Sequence, residues 1–214
     1  MKKWLSALGI KLETKTEAPI PPAPKVYQSP ALNLLHHQLR RHNRKHHILD
    51  LAPACGTNVD FFSQFTCKIY IEDFHRTLTS FDFLSPEDGF SYEKVFEYLL
   101  PYWKNTQFDV IMVWDLFNYL EIEEFEHLVR HLSQFCRTGT LLFTLISTRK
   151  YIFERPTSFK ILDHNHLLYE NNSTVLRKCP QYQQSDLTQV MPNFEIGNSF
   201  LLRNGFKEYL FSCK

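Results

Sequence analysis

From residue 46 to residue 146 the chain alternates short apolar runs with amphipathic stretches. Residues 48–51 form an apolar run that ends in a small-residue loop, Ala52-Pro53-Ala54-Cys55-Gly56-Thr57. The pattern predicts a strand at 48–51 and a short helix over 58–65. A second strand is predicted at 68–71, where Ile69 and Ile71 alternate with polar positions. Residues 92–103 place Val95, Leu99 and Tyr102 on one helical face. Residues 108–114 read as a buried strand, 122–135 as an amphipathic helix stopped by Arg137-Thr138-Gly139, and 140–146 as the next strand. Strands alternating with helices predict a mostly parallel sheet with helices on both faces.

The flanks differ. Residues 14–30 carry five prolines, Pro19, Pro21, Pro22, Pro24 and Pro30, and read as an extended arm or linker. Residues 31–44 bring Leu32, Leu35 and Leu39 to helical spacing. The reading is therefore an N-terminal arm, 1–30, and one domain, 31–214. A polar insertion at 148–184 holds a small hairpin, 159–162 and 166–169 around Asp163-His164-Asn165, as a candidate lid. At the end, apolar runs at 193–202 and 206–211 flank Arg203-Asn204-Gly205, which predicts a hairpin closed by a type I′ turn.

Composition narrows the class. The 214 residues suit one α/β domain with extensions, and 19 Phe and 10 Tyr supply a sizeable core. A net charge of +1 gives no bulk electrostatic case for nucleic acid or an anionic membrane. Five scattered cysteines without C-x-x-C spacing argue against a disulfide framework and a zinc site, and for a cytoplasmic setting. No run is long enough to cross a bilayer. Residues 1–12 read either as a weak membrane or protein contact or as a frayed terminal helix.

Candidate chemistry lies at the carboxyl ends of the predicted strands. Asp50 and the loop Ala52, Pro53, Ala54, Cys55 and Gly56 lead into Asn58 at a helix start, where backbone N–H groups approach a ligand closely. About twenty residues on, Glu72 and Asp73 end the second strand, placed to bind a ribose. The predicted strand 108–114 runs from Asp109 at its entrance to Trp114, followed by Asp115, Leu116, Phe117, Asn118 and Tyr119.

Together these segments, with the terminal hairpin, resemble class I S-adenosylmethionine-dependent methyltransferases. Ala52 and Ala54 stand where the family loop has glycines. The resemblance implies a Rossmann-like sheet with a C-terminal antiparallel hairpin. It implies S-adenosylmethionine bound by Asp50, residues 52–56, Asn58, Glu72 or Asp73, and Trp114. A methyl acceptor would then meet Asp115, Asn118 and Tyr119. The family's third strand falls on 78–83, in a shortened segment between Asp73 and Tyr92.

The leading expectation is methyl transfer to a small molecule, in a pocket bounded by 52–56, 114–119 and 151–170. Two alternatives stand beside it. One is a non-catalytic relative whose aromatic side chains fill the donor cleft. The other is an RNA or protein methyltransferase docking through the basic segment 40–45. The histidines of that region, His36, His37, His42, His46 and His47, read as a solvated face, and His127 and His131 as a surface pair, with no metal expected.

Overall fold

In the computed structural model the described residues are 16–17, 22–41, 44–74, 76, 91–102 and 106–214. The expectations for residues 1–12 and for a strand at 78–83 lie outside them. The strands, in chain order, are β1 (Thr16–Glu17), β2 (Lys25–Gln28), β3 (His46–Asp50), β4 (Cys67–Ile71), β5 (Val110–Trp114), β6 (Leu141–Ser147), β7 (Tyr151–Phe153), β8 (Ser158–Asp163), β9 (His166–Glu170), β10 (Val175–Lys178), β11 (Phe194–Leu201) and β12 (Phe206–Cys213). The helices are α1 (Pro30–Arg41), α2 (Gly56–Ser63), α3 (Tyr92–Leu99), α4 (Ile122–Ser133) and α5 (Gln184–Val190), with a 3₁₀ turn at Leu116–Tyr119.

The central sheet has the order β11-β12-β6-β5-β3-β4. Strands β4, β3, β5 and β6 are parallel, and β12 runs antiparallel between β6 and β11. This is the Rossmann-like sheet with a terminal antiparallel hairpin that the resemblance implied. The order reverses between β3 and β5, so the crevice outside their carboxyl ends is the topological switch point.

Period-two alternation splits the core into two faces. Leu49, Ile111, Val113, Leu142 and Ile146 pack with buried residues of α3, α4 and α5. Ile48, Val110, Met112, Trp114, Phe143 and Leu145 pack with α1, α2 and the hairpin β8–β9. Helix α4 starts at a capping box in which the Glu121 N–H donates to Glu124 at 2.8 Å. The predicted stop is real: Gly139 takes a φ of 87°.

Several expectations need correction. Lys25–Gln28, within the stretch read as an arm, is a strand paired to β9, so β2-β9-β8 form a small sheet of their own. The terminal turn is not type I′. Gly205 has a φ of 81°, whereas Asn204 is not in the positive-φ region. Leu202 and Phe206 close a three-residue loop through a 2.8 Å bond, which takes a single left-handed residue. Finally, His36, His46 and His131 are buried rather than solvated. The ring of His36 packs against Phe61 and Phe65, and His46 Nε2 lies 3.2 Å from the Leu39 carbonyl.

The sheet's opposite end is tied by charge. Asp109, at the entrance of β5, accepts bonds from the His47 N–H (2.8 Å), Arg44 (2.6 Å) and Arg137. Burial pushes its carboxyl up, but these donors outweigh burial and hold it below the usual range.

Candidate functional site

Four stretches meet at the carboxyl ends of β3, β4, β5 and β6. At the end of β3, Asp50 is 3% exposed. Its Oδ1 accepts the Ala52 N–H at 3.1 Å and the Trp114 Nε1–H at 2.6 Å. Burial pushes the carboxyl up to about 6 against the pull of those two bonds. The Asp50–Ala52 bond turns the chain without a left-handed residue: neither Ala52 nor Ala54 has positive φ. An added Cβ on Gly56 would meet nothing within 4 Å. The alanines are therefore compatible with the loop's own backbone.

Helix α2 begins at Gly56. Asn58, expected at a bound donor, faces the hairpin instead. It is 2% exposed, its Nδ2 donates to the Phe159 carbonyl at 3.1 Å, and its Oδ1 accepts the Ile161 N–H at 2.8 Å. The side-chain amide imitates a strand edge and fixes β8 over the helix start. At the end of β4, Glu72 accepts the Tyr102 hydroxyl at 2.7 Å, and Asp73 accepts the Arg76 N–H at 3.2 Å.

Trp114 ends β5 with a φ of 57°. A left-handed non-glycine residue costs about 1–2 kcal/mol. The register slips between Met112 and Trp114, and Thr144 Oγ1 donates to the Trp114 carbonyl at 2.8 Å. The indole stacks on Phe159 at 5.5 Å and 5°, meets Phe143 edge-on, and is 2% exposed.

The next residues turn the other way, into a cavity of about 350 Å³. Asp115 lines it, is 3% exposed and accepts the Thr157 N–H at 3.1 Å. Burial pushes its carboxyl up to about 7, against hydrogen bonds from Thr157. Tyr119 lines it too, with its hydroxyl 3.1 Å from the carbonyls of both Phe153 and Arg155. Burial and then the neighbouring Asp115 push that phenol above its ordinary range. Asn118, expected to act on an acceptor, spends its whole amide on backbone. Nδ2 donates to Asp115 and Leu145, both at 2.8 Å, and Oδ1 accepts from Ser147 at 2.7 Å. It is a positioning residue that ties the 3₁₀ turn to β6.

The expected pocket is thus realised in part. Asp115, Asn118, Tyr119 and residues of 151–157 line the cavity; residues 52–56, Trp114, Leu116 and Phe117 do not. Thr157 and Tyr169 on its wall fall within the expected 151–170 boundary; Arg149, Asn204 and Phe206 on its walls and rim fall outside it. The sequence reading also missed the role of Phe159, the partner of both Trp114 and Asn58. Arg149 and Phe159 belong to the polar insertion and Asn204 and Phe206 to the terminal hairpin, and neither local pattern says what those side chains reach.

Of the implied donor carboxyl, amide and indole groups, only the ribose-side acids Glu72 and Asp73 escape burial, and one Glu72 carboxyl oxygen accepts the Tyr102 hydroxyl. Glu72 is partly exposed beside the end of β3, where a ribose would be held. The methionine half does not fit. The Trp114 indole occupies Asp50, Phe159 covers the indole, and Asn58 is committed to β8.

No family model matches the chain, and no curated protein matches it. Solved structures do. One is a S-adenosylmethionine-dependent methyltransferase from Clostridium acetobutylicum ATCC 824, at 11% identity, covering 85% of this chain and 90% of that one, with a TM-score of 0.48. Another is 1,6-didemethyltoxoflavin-N1-methyltransferase from Burkholderia thailandensis, solved with 1,6-didemethyltoxoflavin and S-adenosylhomocysteine, at 11% identity, 86% and 77% coverage and a TM-score of 0.48. A third is magnesium protoporphyrin IX methyltransferase from Synechocystis PCC 6803 with bound SAM, at 10% identity, 86% and 78% coverage and a TM-score of 0.46.

Proposed function

We propose that this chain is a S-adenosylmethionine-dependent methyltransferase acting on a small molecule, with the acceptor held in the cavity beside Asp115. The observation that carries this reading is the cavity's position. It opens at the carboxyl ends of β5 and β6, next to the switch point of the sheet, and has a buried acid in its wall. The donor would use Glu72, Asp73 and the 52–56 loop. No transfer step follows from this geometry, because Trp114 is hydrogen-bonded to Asp50 and stacked on Phe159, and neither Trp114 nor the 52–56 loop lines the cavity. Among the described residues no helix is long and apolar enough to cross a membrane. The near-neutral charge favours a small acceptor over nucleic acid.

The Trp114–Asp50 bond favours a second reading, a non-catalytic module that keeps the sheet and the cavity and binds no donor. Calorimetry with S-adenosylmethionine separates the two. Binding to the wild-type protein that weakens about 10- to 1000-fold when Glu72 and Asp73 are both replaced by Ala supports the first. Absence of binding, with the protein folded, supports the second.

A further inference from the structure

The cavity has a chemical character of its own, whatever happens at the donor loop. Its walls are aromatic: Tyr119, Tyr151, Tyr169 and Phe206 all line it. Its carboxyl, Asp115, is buried at the carboxyl end of β5 and receives the Thr157 N–H. Its rim carries the exposed cations Arg149 and Lys25. Arg149 donates one N–H to the Asn204 carbonyl at 2.7 Å, which anchors the guanidinium beside the opening.

Each ligand class meets this arrangement differently. An anion inside the cavity would lie against the Asp115 carboxyl. A neutral ligand would leave that acid with no compensating charge. An ammonium supplies both opposite charge and donors, and tyrosine faces attract cations as well. An anionic group on the same ligand would then be drawn to Arg149 at the rim. We propose that the cavity beside Asp115 binds a small zwitterionic amine, its ammonium on Asp115 between tyrosines and its anionic end on Arg149.

This deepens the acceptor half of the proposed function and does not need the donor half. Of the residues lining the cavity, Asp115 is the acid that burial pushes up to about 7; Glu208, which acts on the lining Tyr169 but is not itself in the wall, is pushed there too. Tyr119, Tyr169 and Cys179 all titrate above their ordinary ranges. Arg177 lies beyond the Tyr119 ring at 5.6 Å, and the buried Glu208 lies beyond Tyr169. Amine binding therefore draws a proton off Asp115 in acid solution, and affinity should fall by about tenfold per pH unit once that group is protonated.

The test is calorimetry on the full chain without donor, using phenylalanine, 2-phenylethylamine, 2-phenylethanol and 3-phenylpropionate at up to about 1 mM. Phenylalanine should bind best and 2-phenylethylamine second, each at least about tenfold tighter than the alcohol or the acid. Asp115→Asn, which keeps an acceptor for Thr157, should abolish the preference for amines. Arg149→Gln should remove the advantage of phenylalanine over 2-phenylethylamine and leave the amine's own binding unchanged. Equal binding of alcohol and amine, an unaltered Asp115→Asn protein, or no binding of any probe to the folded chain would overturn the proposal. A chain that binds amines but not S-adenosylmethionine would sink the donor reading and leave this one standing.

Discussion

The indole N–H of Trp114 donates to the carboxyl of Asp50 across a distance of 2.6 Å, joining the carboxyl ends of β5 and β3 at the switch point of the sheet. The bond explains how a left-handed tryptophan is tolerated there. The register slip and the φ of 57° turn the side chain toward Asp50, and the stack on Phe159 shields the result from water. A buried hydrogen bond to a carboxyl, about 1.5–3 kcal/mol, is of the same size as the about 1–2 kcal/mol cost of one left-handed residue and so offsets it.

Trp114→Phe keeps the ring stack and removes the donor. Asp50 is then left buried with the Ala52 N–H as its remaining partner at Oδ1. The variant should lose about 1–3 kcal/mol of stability in urea unfolding. A loss within about 0.5 kcal/mol of zero would mean that the bond contributes nothing measurable.

Asn58→Ala should loosen the hairpin without unfolding the sheet. It strands the Phe159 carbonyl and the Ile161 N–H, for about 1–3 kcal/mol. Hydrogen exchange should speed up across 158–170 while β3, β5 and β6 keep their protection. Uniform loss of protection across the chain would contradict a local clamp.

Three buried acids, Asp50, Asp115 and Glu208, set a pH dependence of one sign. Asp115 rises from 3.8 to about 7 on folding, and Glu208, which accepts the Ala31 N–H at 3.0 Å, rises from 4.5 to about 7. Between the unfolded and folded values the folded state holds the extra proton. Stability from each group is complete below its unfolded pKa and declines as pH rises toward 7, by up to about 1.4 kcal/mol per pH unit. His131, whose burial lowers its pKa, acts oppositely, so a difference between proteins is the clean readout. Asp115→Asn and Glu208→Gln should each gain stability relative to wild type between pH 5 and pH 8. A pH-independent difference would show that the acids do not titrate in this window.

Gly205→Ala tests the terminal hairpin. An added Cβ would lie 2.4 Å from Arg149 Nε, and the φ of 81° is strained for any L side chain. The expected cost is about 1–2 kcal/mol from the backbone, and Arg149 must also shift against its bond to the Asn204 carbonyl to make room. A wild-type melting temperature for the variant would mean that the loop adopts another turn in solution.

Local pattern alone placed the sheet. The run 110–114 is apolar because β5 is covered on both faces, and Ile69 and Ile71 alternate in β4, an edge strand. Gly139 and Gly205 marked their turns because each needs positive φ. Even the position of the hairpin around Asp163-His164-Asn165 followed from turn chemistry between two apolar runs. Each of these is a property of neighbouring residues, and short-range sterics and periodicity encode them directly.

What tertiary structure decided is the site. The burial of His36 and His131, the use of Asn118 on backbone, and the turn of Trp114 onto Asp50 depend on partners far away in the chain. Asn58 meets Phe159 across 101 residues, and Ala31 meets Glu208 across 177. No spacing rule reaches that far. An asparagine at a helix start reads the same whether it faces a bound cofactor or a strand laid across it. Only the packed chain, in which every buried polar group must find a partner, determines which one is there.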